Sequence, residues 1–160
     1  STPEKPRCSI GTREKRRESP GREIVQYSKG QTPMKSELQI LCDREKVTIT
    51  SEYGKARSKP EGDWAHHSYR VTLRYRGRQI STDFFQGSGH SAEPTSADVL
   101  SSLMLDARGG RESFAMFCDD FGYEPDSRKA HATWEACRKI VPRLQRFLNG
   151  KYETFESAEH

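Results

Sequence analysis

The sequence predicts an α+β domain, in which a small antiparallel sheet of about three strands packs against three C-terminal helices. The first observation is a set of alternating, β-branched stretches joined by the two-residue turn Arg76-Gly77. The second is a later set of three segments with helix caps and helical spacing of apolar residues. We expect strands around 46–53, 65–75 and 78–85, and helices around 96–107, 113–121 and 127–148.

The Arg76-Gly77 turn also predicts the register of the hairpin, because an X-Gly pair favours a two-residue primed turn. The resulting alignment gives one apolar face and one polar face, as a sheet with one buried side requires. The predicted apolar face pairs Tyr75 with Arg78, Leu73 with Ile80, Val71 with Thr82 and Tyr69 with Phe84. The polar face pairs Arg74 with Gln79, Thr72 with Ser81 and Arg70 with Asp83.

Each predicted helix has its own start and stop signals. Thr95 to Asp98 matches a capping box, and Gly109-Gly110 follows the apolar stripe of the first helix. Ser113 caps the second helix and Gly122 ends it, whereas Asp126 or Ser127 caps the third. Pro142 lies inside the third helix, so we expect a kink there or an unpaired carbonyl one turn earlier.

Composition divides the chain of 160 residues into one domain and a tail. Hydrophobic residues make up 32% and charged residues 31%, and the apolar shortage is concentrated in residues 1–33, which we expect to form a disordered basic tail. The alternative is that translation starts at Met34, the first Met, and that 1–33 is a translated upstream region. We expect residues 34–150 to form a single α+β domain and residues 151–160 to form a frayed C-terminus.

The positive charge belongs to the tail. Residues 1–33 hold eight Lys and Arg against four Asp and Glu, whereas residues 34–160 hold nineteen of each. No apolar run is long enough to span a membrane. The four cysteines form no CxxC pair, and Cys118 and Cys137 occupy apolar helix positions, which favours a core role in a reduced cytoplasm.

Basic side chains of the hairpin and the third helix form the candidate nucleic-acid interface. If the two elements adjoin, these side chains make a local basic patch on a neutral domain. The alternative is a solvated helix face interrupted by Glu135. The candidate residues are Arg70, Arg74, Arg76, Arg128, Lys129, Arg138, Lys139, Arg143 and Arg146.

The loop Gly87, Ser88, Gly89 and His90 is a weaker candidate for an anion or ligand site. It lies between a strand and the helix that begins near Thr95, so its backbone N–H groups are candidates to hold an anion. It lacks the Lys-Ser/Thr of a phosphate loop, and a structural turn is the alternative. The spacing of His66, His67 and His90 matches no zinc pattern, and Ser88 lacks a nucleophile elbow. We therefore expect no metal, no cofactor and no catalytic residue.

Several short strings are similar to a family of small proteins encoded by phages and prophages. The resemblance covers roughly residues 43–150 and implies a phage context, in the cytoplasm of a bacterial host cell, without an established activity or a family active site. The strings are YRVTL at 69–73, STDF at 81–84, GSGH at 87–90, PTSADVL at 94–100 and GYEPDSRKA at 122–130.

These observations predict a non-enzymatic phage accessory protein that acts by binding a macromolecule. Nucleic acid is one candidate partner, supported by the arginines of the hairpin and the third helix. A host protein, such as a component of a defence system, is the other, supported by small size and the absence of net charge in residues 34–160. A small nucleotide-binding enzyme using the loop at 87–90 is the third alternative.

Overall fold

The computed structural model describes residues 34–60, 62–90 and 93–160, and the predicted tail at 1–33 lies outside them. The predicted α+β fold is confirmed, with the strands in the middle of the described chain and most of the helices after them. In chain order the elements are α1 (Glu37–Glu45), β1 (Thr48–Tyr53), β2 (His67–Tyr75), β3 (Arg78–Gln86), α2 (Ser96–Arg108), α3 (Phe114–Phe121), α4 (Arg128–Arg138), α5 (Ile140–Phe147) and α6 (Tyr152–Ser157).

The three strands form one antiparallel sheet in the order β1-β2-β3. The hairpin register is the predicted one at every pair, from Tyr75 opposite Arg78 to Tyr69 opposite Phe84. Arg76 and Gly77 both have positive φ, 47° and 76°, as a primed two-residue turn requires. The predicted faces are confirmed as well, because the inward side chains of β2 are buried while Thr72 and Ser81 hydrogen-bond across the outer face at 2.8 Å.

The main core lies between the inner face of the sheet and the helices α1, α2, α5 and α6. A second, smaller core joins α3 to α4 through the aromatic rings of Phe114, Phe117 and Trp134. Cys118 and Cys137 are buried in this second core, as their helix positions predict. The predicted caps at Thr95 and Ser113 also form, and Ser127 caps α4 by accepting from Ala130 N at 3.0 Å.

Helix α1 was not predicted, although its sequence contains a start signal. Ser36 accepts a hydrogen bond from Gln39 N, and the helix ends at Lys46, whose φ is 58°. Leu38, Leu41 and Cys42 are spaced for one helix face and are buried in the main core. The helix precedes β1, so the domain is not simply strands followed by helices.

The segment predicted as one helix over 127–148 is helical, but it forms two helices with Lys139 between them. Pro142 explains the position of the break. It has no N–H to donate to the Arg138 carbonyl, and its ring crowds that same carbonyl. The expected disturbance one turn before the proline is therefore a break of one residue, Lys139, which keeps helical dihedrals, and α4 and α5 contribute to different cores.

The prediction of a frayed segment at 151–160 was wrong. Asn149 and Gly150 adopt positive φ and end the preceding helix, but the chain then forms α6. Tyr152 and Phe155 are three residues apart on one face of α6 and are fully buried against the main core. Burial of two aromatic rings supplies the free energy that such a short helix lacks by itself.

Candidate functional site

Three arginines from two elements line a shallow groove between the start of β3 and helix α5. The groove consists of two adjoining depressions, of about 510 Å³ and about 400 Å³, which share Arg78 and Arg146. Arg143 lines the second depression together with Ile80 and Phe147. We call this region the arginine groove, defined by Arg78, Arg143 and Arg146. No carboxylate lines it within the part of the chain that the structure describes.

The guanidinium groups of the arginine groove carry unbalanced positive charge. None of the three forms an ion pair with another described residue. The side chains of Arg143 and Arg146 are exposed, because the opposite face of α5 buries Leu144 and Phe147. Pro142 and Gly150 bound the groove at the two ends of α5. The fold therefore holds three cations together on one surface without a counterion from the described residues.

Glu45 neutralises the other basic side chains at this end of the sheet. It accepts a hydrogen bond from the Tyr75 hydroxyl at 3.1 Å, and it pairs with Arg76 at 3.4 Å and Lys151 at 3.5 Å. The Tyr75 hydrogen bond, followed by the charges of Lys151 and Arg76, lowers the pKa of the Glu45 carboxyl, so it is ionised at neutral pH. Arg76, a predicted interface residue, is therefore already paired within the domain.

The remaining predicted basic residues lie outside the arginine groove. Arg70 pairs with the buried Asp83 at 3.1 Å, and Arg74 donates to Thr50 Oγ1 at 3.2 Å on the outer face of the sheet. Arg138 pairs with Glu135 at 3.4 Å. Arg128, Lys129 and Lys139 are exposed at the two ends of α4. The structure thus brings together Arg143 and Arg146 from the predicted set and leaves the other members apart from them.

Arg78 is the groove residue that the sequence reasoning missed. The signal was present in the hairpin register, which aligns Arg78 with the buried Tyr75 and so assigns it to the face that the helices cover. At the first position of an edge strand, an arginine on that face extends along the edge of the core towards α5. The predicted interface took its hairpin arginines from the outer face of the sheet only, so it omitted Arg78.

The loop at 87–90 borders a cavity at the other end of β3. Gly87 and His90 line this cavity. Ser88 and Gly89 are exposed and do not line it. The nearby N-terminus of α2 has little capacity left for an anion. Thr95 N donates to Asp98 Oδ2 at 2.8 Å, Asp98 N to Thr95 Oγ1 at 3.2 Å, and Ala97 N to Gln39 Oε1 at 3.2 Å. These N–H groups are already satisfied within the chain.

Asp83 and Cys42, two side chains with potentially reactive groups, have structural surroundings. Asp83 is buried and accepts hydrogen bonds from Arg70, from Arg57 N at 3.0 Å and from Ser58 Oγ at 2.7 Å, so it anchors the loop after β1. Burial raises the pKa of the Cys42 thiol to about 11, which keeps it protonated. Among the described residues, no group of three or more His, Cys, Asp or Glu side chains is arranged to hold a metal ion.

None of the helices in the described segments combines the length and the apolar character needed to cross a lipid bilayer. Comparisons with protein families, with curated proteins and with solved structures find no match to this chain. The functional assignment therefore depends on the geometry of the two ends of β3.

Proposed function

We propose that this chain is a non-enzymatic binding protein that contacts the phosphate backbone of nucleic acid through the arginine groove. The observation that carries the proposal is the convergence of Arg78, Arg143 and Arg146 on one surface whose described lining contains no carboxylate. An arginine guanidinium presents paired N–H donors that match two phosphate oxygens. Since no acid among residues 34–60, 62–90 and 93–160 engages these three groups, a phosphate is suited to supply their counter-charge.

The shape of the surface favours a backbone contact over base recognition. The groove is shallow, and the side chains beside the arginines, Gln79 and Gln145, are polar and exposed. Contacts of this kind bind phosphates irrespective of base sequence, and they position a nucleic acid without specifying it. We expect weak affinity with strong salt dependence, because the binding free energy comes from the release of condensed counterions.

Fluorescence anisotropy with a labelled DNA duplex tests the proposal on the full chain. The variant carries Arg78→Gln, Arg143→Gln and Arg146→Gln together, which removes the charges and keeps polar side chains. We expect at least about a tenfold loss of affinity, and a slope of log K against log salt that is smaller by roughly 2–3 between about 50 and 200 mM salt. Thermal unfolding of the variant checks that it remains folded.

A matched control separates the groove from general charge. The triple variant Arg128→Gln, Lys129→Gln and Arg138→Gln removes the same charge from α4 and leaves the tail unchanged in both proteins. We expect this control to bind like the unmodified chain. Equal losses in the two variants, or none in either, would reject the arginine groove as the contact surface.

The phage or prophage context stays a prediction from the resemblance, and so does a host protein as the alternative partner. A host-protein complex would resist salt and would not depend on the groove arginines. That pattern in a pull-down from nuclease-treated host lysate would favour the alternative over nucleic acid.

A further inference from the structure

The cavity at the C-terminal end of β3 has the size of a small-molecule site. Its volume is about 650 Å³, within the range of roughly 300–1,000 Å³ that is usual for ligand pockets. The end of β3, the loop before β2, the N-termini of α1 and α2, and the residues after α6 form its walls. We call it the acidic pocket, for the charges described below. It lies at the opposite end of β3 from the arginine groove.

Three buried polar atoms of residues that line the pocket have no hydrogen-bond partner in the described part of the chain. They are Trp64 Nε1, Gln86 Oε1 and Glu159 Oε2. Gln86 is only 8% exposed, and the alternation of β3 places its side chain on the same face as Phe84, towards the pocket. Buried polar groups in folded proteins are nearly always hydrogen-bonded, so side chains with unpaired buried atoms beside one cavity are candidates to turn towards a partner inside it. Two of the three are acceptors.

The charges of the wall define what that partner is. The described lining contains three carboxylates, on Glu37, Asp98 and Glu159, and neither Lys nor Arg. One oxygen of Glu159, Oε1, accepts from Ser101 Oγ at 2.8 Å, which leaves Oε2 for a second donor. Arg108 contacts the lining residue His160 at Nε2, 3.1 Å away, without itself lining the pocket. A phosphate or carboxylate ligand would face repulsion here, whereas a cation would be attracted.

Aromatic side chains complete the recognition surface. Trp64 and Phe85 contact each other edge to face, with ring centroids 6.4 Å apart, and Phe84 adds a third ring to the lining. Aromatic rings attract cations and cover the apolar stem of an alkyl amine or guanidine. A guanidinium suits this mixture well, because it donates several hydrogen bonds in one plane and stacks on rings.

We propose that the acidic pocket binds a small organic cation, a guanidinium or primary ammonium group on a short apolar stem. The cationic head donates to Gln86 Oε1 and Glu159 Oε2 once these covered oxygens turn towards the cavity, and the stem lies against Trp64 and Phe84. This activity is independent of the arginine groove. The same head group occurs on free alkyl guanidines and amines and on arginine or lysine side chains of a polypeptide, and the experiment distinguishes these two sources.

Isothermal titration of the full chain with butylguanidinium tests the proposal, with butylurea as an uncharged control of the same shape. We expect a saturable heat for butylguanidinium, with a Kd of about 1 mM or tighter, and binding of butylurea that is weaker by at least about tenfold. Equal binding of the two compounds, or no binding of butylguanidinium, would overturn the proposal.

Two substitutions locate the site. Glu159→Gln removes the charge and retains an Oε1 acceptor for Ser101, so we expect at least about a tenfold loss of butylguanidinium affinity. Glu153→Gln removes the same charge from an exposed position of α6 and should leave the affinity unchanged. If Glu159→Gln destabilises the fold, Gln86→Leu serves as the second variant with the same expected loss. Unaltered affinity in a folded pocket variant would place the cation elsewhere and reject the pocket.

Acetylarginine methylamide identifies the source of the cation. Tighter binding of this compound than of butylguanidinium supports an arginine side chain of a polypeptide as the natural occupant. The reverse order supports a free small molecule. In either case the Glu159→Gln variant must bind the tighter compound more weakly. If acetylarginine methylamide binds this variant as tightly as the unmodified chain, its peptide groups bind outside the pocket.

Discussion

The two ends of strand β3 carry opposite charges. Arg78 starts the strand and joins Arg143 and Arg146 in the arginine groove, whereas Gln86 ends it beside the carboxylates of the acidic pocket. Nine residues at a rise of about 3.3 Å separate the two ends by roughly 26 Å, several times the screening distance of about 8 Å at physiological salt. Each end therefore presents its own potential to a ligand.

The net charge of the domain does not reveal this difference between the two ends of β3. Residues 34–160 have nineteen basic and nineteen acidic residues, and a balance of zero suggests no preference for any charged partner. Some of these charges pair internally, as Glu45 does with Arg76 and Lys151, and Asp83 does with Arg70. Others are distributed unevenly, with three arginines lining the groove at one end of β3 and three carboxylates lining the pocket at the other.

The two ends depend on one scaffold, and its removal has the largest expected effect. Phe155 of α6 is fully buried and packs edge to face on Tyr75, with centroids 6.0 Å apart. The substitution Phe155→Ala should lower the free energy of unfolding by about 3–5 kcal/mol, because it leaves a cavity in the main core. Urea denaturation measures this change, and both the arginine groove and the acidic pocket should lose binding together.

Thr154→Ala is the control on the same helix, because Thr154 is exposed. Its effect should stay within about 0.5 kcal/mol. A loss below about 1 kcal/mol in Phe155→Ala would mean that α6 is not held against the core, which would contradict the buried position of its aromatic side chains.

The second prediction distinguishes binding at the acidic pocket from binding at the arginine groove. Arg70→Met keeps the length of the side chain but takes the charged donor from Asp83, whose side chain has no exposed surface. We expect a loss of about 2–3 kcal/mol, since Arg57 N and Ser58 Oγ still bond the carboxylate. The loop that Asp83 anchors leads to Trp64. Binding of butylguanidinium should therefore weaken, whereas DNA binding by the folded fraction should not change.

Arg74→Met is the matched control, because Arg74 lies on the same outer face and donates only to the exposed Thr50. It should change the free energy of unfolding by less than about 0.5 kcal/mol. Adding Asp83→Asn to Arg70→Met should recover part of the loss, because it removes the buried negative charge that Arg70 offsets. No recovery would assign the loss to packing of the Arg70 stem.

Local sequence signals predicted the elements that are determined by interactions between residues close in sequence. The Arg76-Gly77 turn determined the register of the hairpin, and side-chain caps at Thr95, Ser113 and Ser127 marked three helix starts. Helix α1 also has a local signal, Ser36 with Gln39, which the sequence reading did not use. Helix α6 has no cap bond and depends on burial of Tyr152 and Phe155, a tertiary effect that propensity does not contain.

The candidate sites divide in the same way. Arg143 and Arg146 were predicted because they share a helix face, and Arg78 was accessible through the hairpin register. The acidic pocket was not predictable, because Glu37, Asp98 and Glu159 come from distant parts of the sequence and meet only through packing of α1, α2 and the segment after α6. The loop at 87–90 was predicted as a ligand loop, and that role stays a prediction; the charges around it favour a cation over the predicted anion.

The smallest expected effect concerns Glu45, the carboxylate that limits the positive charge near the arginine groove. The Tyr75 hydroxyl bond, with help from Lys151 and Arg76, lowers the pKa of Glu45 below its ordinary value of 4.5. A carboxyl whose pKa is lowered by folding stabilises the protein above its unfolded pKa, and this stabilisation is lost as the pH falls through the folded value. Glu45→Gln should therefore reduce the difference between unfolding free energies measured at about pH 7 and about pH 3.5.

The same substitution should strengthen DNA binding slightly. Without Glu45, Arg76 and Lys151 no longer have their carboxylate, and two more cations become available beside the arginine groove. We expect roughly a two- to threefold gain in affinity, small because both side chains are partly exposed and screened by salt. Glu52→Gln, which removes a carboxylate from an exposed position of β1, is the control for total charge. An equal gain in both variants would show that DNA responds to net charge, and a gain confined to Glu45→Gln would show that it responds to the charge at this end of β3.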